Sequence, residues 1–149
     1  MCTQCDYNKL MSECGLKPSP RRVMLMSVIG SSGRPLTASE IHSIVLETES
    51  MDRVTVYRIL DTLVKYGLAE KIGSPDARSF FYGLSPSSLH PAHPHFFCRM
   101  CGKAKCLSPS IVPDVSRNEI KSMIPGITET VQINIAGVCS ECLTEEKSL

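Results

Sequence analysis

From His93 to Cys106 the chain reads HPHFFCRMCGKAKC, with two histidines, a Cys-x-x-Cys pair at Cys98 and Cys101, and a further thiol at Cys106. A second Cys-x-x-Cys pair, Cys139 and Cys142, stands near the C-terminus. Two residues between thiolates let both sulfurs of a pair point at one ion about 2.3 Å away, so two such knuckles suit one tetrahedral Zn²⁺. That clip requires the segment between the knuckles to close on itself. It therefore dictates the fold of the C-terminal part more strongly than any pattern of apolar residues there.

The eight cysteines could instead form four disulfides in a secreted chain. Met1 to Leu10 is too polar for an export signal, and no apolar run approaches the roughly 18 residues of a membrane span. A cytoplasmic protein is expected, and a reducing compartment favours thiolates and metal over disulfides. At 149 residues the chain makes one ordinary domain or two small ones, and small cores gain from a structural metal. Net charge is +1 and evenly spread: residues 1–84 hold ten Lys/Arg against nine Asp/Glu, and residues 85–149 six against six. Bulk charge does not announce nucleic-acid binding, so any such function must rest on local placement.

The N-terminal part reads as helices followed by a hairpin. Cys2 and Cys5 make a third Cys-x-x-Cys beside the start methionine, read as a frayed end with no assigned role, and Leu10 and Met11 precede a helix end at Cys14-Gly15. Ser19-Pro20 is an N-cap with proline at the first helical position, and that helix should stop near Gly30 to Gly33. Thr37-Ala-Ser-Glu40 is a capping box. After Ser50 or Asp52 the run RVTVYRILDTLVKYGL puts Val56, Leu60, Leu63 and Val64 on one stripe, with Arg53, Thr55, Arg58 and Lys65 largely off it. Two extended runs, Ala69 to Ile72 and Ser79 to Leu84, flank the turn residues Gly73-Ser-Pro-Asp76. Helices with a hairpin after the last one follow the order of a winged helix-turn-helix, whose recognition helix enters the DNA major groove.

SPSSLHPAHP, residues 85–94, disfavours helix and continuous sheet and marks a hinge between a DNA-binding domain (1–84) and a second domain (95–149). Beyond it, His95 to Cys98 and Ala104 to Leu107 read as strands, and Pro113 to Ile124 as a helix opened by proline. Ile127 to Ile135 alternates apolar and polar residues as a strand with one buried face. The last six residues are expected to be loose. The fold class is α+β: a winged helix, then a small αβ domain with a four-cysteine zinc site, able to pair through a sheet edge into a dimer.

Three motifs in this order carry a resemblance: TVYRIL with Leu63 and Gly67-Leu68, then HPHFFCRMCGK from His93 to Lys103, then GVCSEC from Gly137 to Cys142. With them the chain resembles the ferric uptake regulator (Fur) family of bacterial metal-dependent transcription factors, over about Leu16 to Leu143. The resemblance implies a homodimeric repressor of a palindromic double-stranded DNA operator, with no membrane association, no small organic substrate and no enzymatic activity. It implies that Cys98, Cys101, Cys139 and Cys142 hold the structural zinc. It matches His93 and His95 to regulatory ligands, puts Cys106 where some relatives have a carboxylate ligand, and matches Glu70 to a ligand of the zinc-sensing branch. His90, on the hinge, is near enough to complete or replace one of these. Ligands from both sides of a hinge would let metal select one spacing of the DNA-binding domains.

The histidine that many iron and peroxide sensors carry before the second winged-helix helix is Pro35 here. A thiolate at Cys106 shifts preference toward a softer ion. Zn²⁺ is therefore favoured over Fe²⁺ as regulator, which makes the chain most like the zinc uptake regulator (Zur) branch; an iron-responsive or a peroxide- or redox-responsive regulator is the alternative. A zinc hydrolase would need a general base, and no His-Glu-x-x-His motif supplies one. For DNA, the resemblance points to Tyr57 and Arg58; Thr55 and Arg53 can reach phosphates from the helix start, and Lys17, Arg21 and Arg22 form a small basic cluster.

Overall fold

The computed structural model describes residues 5–112 and 114–147. Cys2 and the helix-opening Pro113 lie outside the described residues. The chain divides into two compact units, Met1–His90 and Pro91–Leu149.

In the first unit, caps set each helix. α1 (Tyr7–Glu13) starts at Asp6, whose carboxylate accepts the Lys9 N–H at 3.1 Å. It ends at Cys14-Gly15 as expected, Gly15 taking φ +77° while the Leu16 N–H reaches the Met11 carbonyl at 2.9 Å. α2 (Pro20–Ser31) follows the Ser19 cap. The capping box of α3 (Ala38–Val45) is complete: Glu40 N–H donates to Thr37 Oγ1 at 3.2 Å, and Glu40 Oε2 accepts the Thr37 N–H at 2.8 Å. α4 (Arg53–Lys65) is capped by Asp52, which accepts the Thr55 N–H at 2.6 Å. It closes with Gly67 at φ +70° and Leu68 N–H bonded to the Leu63 carbonyl.

Val56, Leu60 and Leu63 of α4 are fully buried against Leu25, Met26, Ile41 and Val45 from α2 and α3. The hairpin is β2 (Ala69–Gly73) antiparallel to β3 (Phe80–Leu84), with Ala69 opposite Leu84 and Gly73 opposite Phe80. A two-residue strand, β1 (Leu36–Thr37), joins the other edge of β3, giving the order β1-β3-β2. The sequence reading had missed β1, since two residues carry no periodicity. The result is a winged helix.

The second unit is a sheet of order β5-β4-β6: β4 (His95–Cys98) pairs antiparallel with β5 (Ala104–Cys106) and parallel with β6 (Asn134–Gly137). A 3-10 turn at Pro109–Ile111 and α5 (Asp114–Met123) connect β5 to β6. Two expectations are corrected here. The strand expected over 127–135 is observed at Asn134–Gly137, because its ladder with β4 begins at Asn134 opposite His95, and Ile127 is 94% exposed. Of the last six residues, expected to be loose, 144–147 belong to α6 (Ser140–Lys147), which Cys142 anchors to the buried thiols and Lys105 to β5 through Glu141 at 2.9 Å; residues 148–149 lie outside the described residues.

Gly30, expected only to punctuate the end of α2, is buried inside it. A Cβ there would fall 2.1 Å from the Tyr7 hydroxyl of α1 and 3.3 Å from a Leu84 methyl. Gly30→Ala should therefore cost about 1–3 kcal/mol by overpacking. Urea unfolding should show the loss, and adding Tyr7→Phe should restore part of it; an unchanged midpoint would refute the contact.

Candidate metal sites and recognition helix

The two knuckles converge. The sulfurs of Cys98, Cys101, Cys139 and Cys142 all lie within 4.8 Å of one another, Cys98 to Cys142 at 3.8 Å and Cys101 to Cys139 at 4.0 Å. Four sulfurs each about 2.3 Å from a tetrahedral zinc stand about 3.8 Å apart, close to the two separations observed, so the cluster suits the ion. Gly102 at φ +71° turns the first knuckle, its N–H bonded to the Cys98 carbonyl at 2.9 Å. Backbone N–H groups of Cys101 and Cys139 draw the Cys98 thiol down to about 6. Hydrogen bonding to Cys139, with burial, pushes Cys142 up to about 12. Without a cation the four sulfurs must share protons; Zn²⁺ would displace those protons and neutralise the cluster. The site has no open position for catalysis.

A second cluster unites His93, His95 and Cys106, with donor atoms within 4.8 Å. His95 stands opposite Cys106 in the antiparallel β4/β5 pair, and residues directly opposite share a face. His93, two residues before His95 on an extended segment, shares that face too. The rings approach at 4.8 Å between centroids, edge to face. His93 Nδ1 is 2.9 Å from the Pro91 carbonyl, which can only accept, so Nδ1 carries the proton and the lone pair sits on Nε2. Nε2 is buried without a hydrogen-bond partner, the condition of a nitrogen suited to a cation. Burial and the neighbouring His93 hold His95 down to about 4, so it is neutral and able to ligate at pH 7. Two imidazoles and an exposed thiol leave a tetrahedral ion one further position.

Glu70, matched to a ligand by the resemblance, and His90, read as near enough on the hinge to complete or replace one, are not in that cluster. Glu70 sits in β2 opposite Gly83. His90 is held in the turn Ser87–His90, its Nε2 3.5 Å from Cys5 Sγ. Cys5 is half-buried against the core of the first unit, so the frayed-end reading is corrected for it.

On α4 the apolar stripe faces inward and the polar residues outward. Arg53 and Arg58 are exposed and Thr55 is half-buried. Tyr57 is 43% exposed and outside the core, although it neighbours the stripe in sequence. It lines a groove against the hairpin with Asp61, Lys71, Arg78 and Phe80. Lys17 is exposed, its carbonyl accepting from Arg22, and Arg21 pairs with Glu49 at 2.9 Å.

Two outcomes follow from the clusters. Cys142→Ser should abolish tight zinc retention and unfold the second unit, removing most of the roughly 10 kcal/mol that structural zinc contributes in metal-folded domains. Metal analysis beside far-UV circular dichroism checks this, and a folded variant with full zinc content would refute it. For His95, the unfolded chain takes up a proton near the ordinary 6.5, which the fold refuses until about 4. Stability of protein lacking metal in the His93–His95–Cys106 cluster should therefore fall as pH drops through that window, and fall less in His95→Gln.

Comparison with known proteins agrees with both units. The pattern of the Ferric uptake regulator family matches residues 13–136. The ferric uptake regulation protein of Campylobacter upsaliensis is 26% identical over 142 residues, covering 91% of this chain and 86% of its own. The structure of the Helicobacter pylori ferric uptake regulator, described as having three functional metal binding sites, superposes with a TM-score of 0.66 at 26% identity, covering 91% of this chain and 88% of its own. That of holo XcZur does so with a TM-score of 0.55 at 29% identity, covering 89% and 91%. The chain belongs to the ferric uptake regulator family of metal-responsive transcription regulators.

Proposed function

We propose that this protein is a zinc-responsive repressor that binds a palindromic DNA operator as a homodimer when its regulatory site is loaded. The observation that carries the reading is the His93–His95–Cys106 cluster. A soft thiolate beside two imidazoles favours Zn²⁺ over Fe²⁺, which prefers carboxylate among its donors. The competing reading, iron, draws on the ferric uptake names of two relatives. Cys106 in a position where some relatives carry a carboxylate weighs against it. Glu70 is our candidate for the remaining ligand. Cys98, Cys101, Cys139 and Cys142 take a permanent zinc that serves folding alone.

Dimerisation accounts for the apolar surface of the second unit, where Ile111, Met123, Ile124, Ile127 and Ile135 are exposed. For DNA, Arg58 is suited to guanine, Tyr57 to a thymine methyl or a phosphate, and Arg53, Thr55 and Lys17 to the backbone. Arg21 must exchange Glu49 for a phosphate to contribute. With a net charge of +1, affinity depends on dimer geometry more than on nonspecific attraction. Zinc acts by binding the operator-competent state more tightly than the other.

His93→Ala and Cys106→Ala should leave a folded dimer that retains structural zinc and binds operator weakly, with no response to added Zn²⁺. Arg58→Ala should keep both metal sites and lose about 10- to 100-fold in operator affinity. Fluorescence anisotropy with an operator duplex measures both. Full zinc-dependent binding by His93→Ala would remove the regulatory assignment, and undiminished binding by Arg58→Ala the recognition-helix assignment.

A further inference from the structure

We infer that Val54 is a further specificity-determining residue of α4, packing on the C5 methyl of a thymine that neighbours the base read by Arg58. The inference rests on the DNA-binding reading above and adds an apolar contact to it. Val54 is the second residue of α4 and is 58% exposed, more so than Tyr57. At 3.6 residues per turn it lies about 160° around the axis from Val56, which is buried with Leu60 and Leu63. Arg58, also exposed, lies about 160° from Val56 the other way. The two therefore share the outward face, where side chains four apart have Cβ atoms about 5–6 Å from one another.

The helix itself gains little from this residue. Its side chain stays in solvent, and a β-branched residue forms helix less readily than alanine at an exposed position. A recognition helix presents the residues of its N-terminal turns to base edges, and Val54 belongs to the first of those turns. Arg53 precedes it and Arg58 stands one turn further on, both exposed. Cations on either side of an apolar side chain can hold phosphates or guanine while the apolar group meets the base between them. In the major groove thymine is the base that offers a methyl group, and apolar contact with it is how a side chain tells it from cytosine. Asp61, exposed on the same face, adds a charge of the other sign, so the surface around Val54 is no contiguous apolar patch of the kind that docks a protein.

The test begins with selection of binding sites from a random duplex library by the full-length protein, run with Zn²⁺ and in parallel with Fe²⁺ so that the choice of regulatory ion does not decide it. In the enriched duplex each thymine is then replaced by deoxyuridine, which keeps the base pair and removes only the methyl. Fluorescence anisotropy should find one position per half-site, beside the base pair that Arg58→Ala ceases to distinguish, where the replacement weakens binding. The loss should be about 4-fold for one half-site and about 15-fold for both, the effect of one buried methyl each. Val54→Ala, with an unchanged thermal unfolding midpoint, should bind the duplexes with and without that methyl equally. If no thymine methyl affects wild-type binding, or Val54→Ala keeps the wild-type sensitivity, the inference is overturned while the DNA-binding reading stands. Enrichment of no sequence with either ion overturns both.

Discussion

The four sulfurs of Cys98, Cys101, Cys139 and Cys142, gathered within 4.8 Å of one another, are the contact on which the second unit depends. Apart from Cys98, Cys139 and Cys142, the buried side chains among its described residues are Pro94, His95, Phe97 and Ala104. A core this small cannot offset the entropy of ordering nearly sixty residues, since backbone ordering alone costs about 1–2 kcal/mol for each. A metal at the four sulfurs would connect what side-chain packing does not. β4 leads into Cys98, β6 leads into the second knuckle, and α6 starts between Cys139 and Cys142. Their parallel pairing, His95 with Asn134 through Cys98 with Gly137, is the pairing that joining the knuckles produces.

The His93–His95–Cys106 cluster depends on this frame. His95 and Cys106 stand opposite one another because β4 and β5 pair in the register that the Cys98/Cys101 knuckle sets between them. His93 is aligned by the Pro91 carbonyl, which fixes the tautomer before any metal arrives. The two clusters therefore share one sheet but differ in openness. One gathers four thiols, three of them buried, and the other joins two imidazoles to an exposed thiol.

Local signals were legible in the sequence, and long-range ones only where chemistry marked them. Ser19-Pro20, the Thr37/Glu40 box, Asp52 and Gly67 fixed three helices, because caps act over four residues and need no tertiary context. The knuckles disclosed a contact across the whole second unit because thiolate spacing carries a metal's geometry. β1 was invisible because its two residues are a strand only through pairing with β3. The alternation from Ile127 to Ile135 was over-read, since periodicity gives the faces of a segment and says nothing of whether a neighbouring strand exists. α6 was missed because its polar sequence has little helical signal of its own and takes its order from Cys142 and Glu141. Cys5 and His90 meet across the first unit, and neither residue alone announced the other.

The central claim is that a zinc-selective site, distinct from the structural one, controls DNA binding. It is tested most directly by treating the dimer with chelator until only structural zinc remains and titrating it with buffered Zn²⁺, Fe²⁺ and Mn²⁺ against a palindromic operator. Operator binding restored at the lowest free concentration by Zn²⁺, and lost with Cys106→Ala, is the predicted result. Restoration by Fe²⁺ at lower free concentration than Zn²⁺ would contradict the account and transfer control to iron.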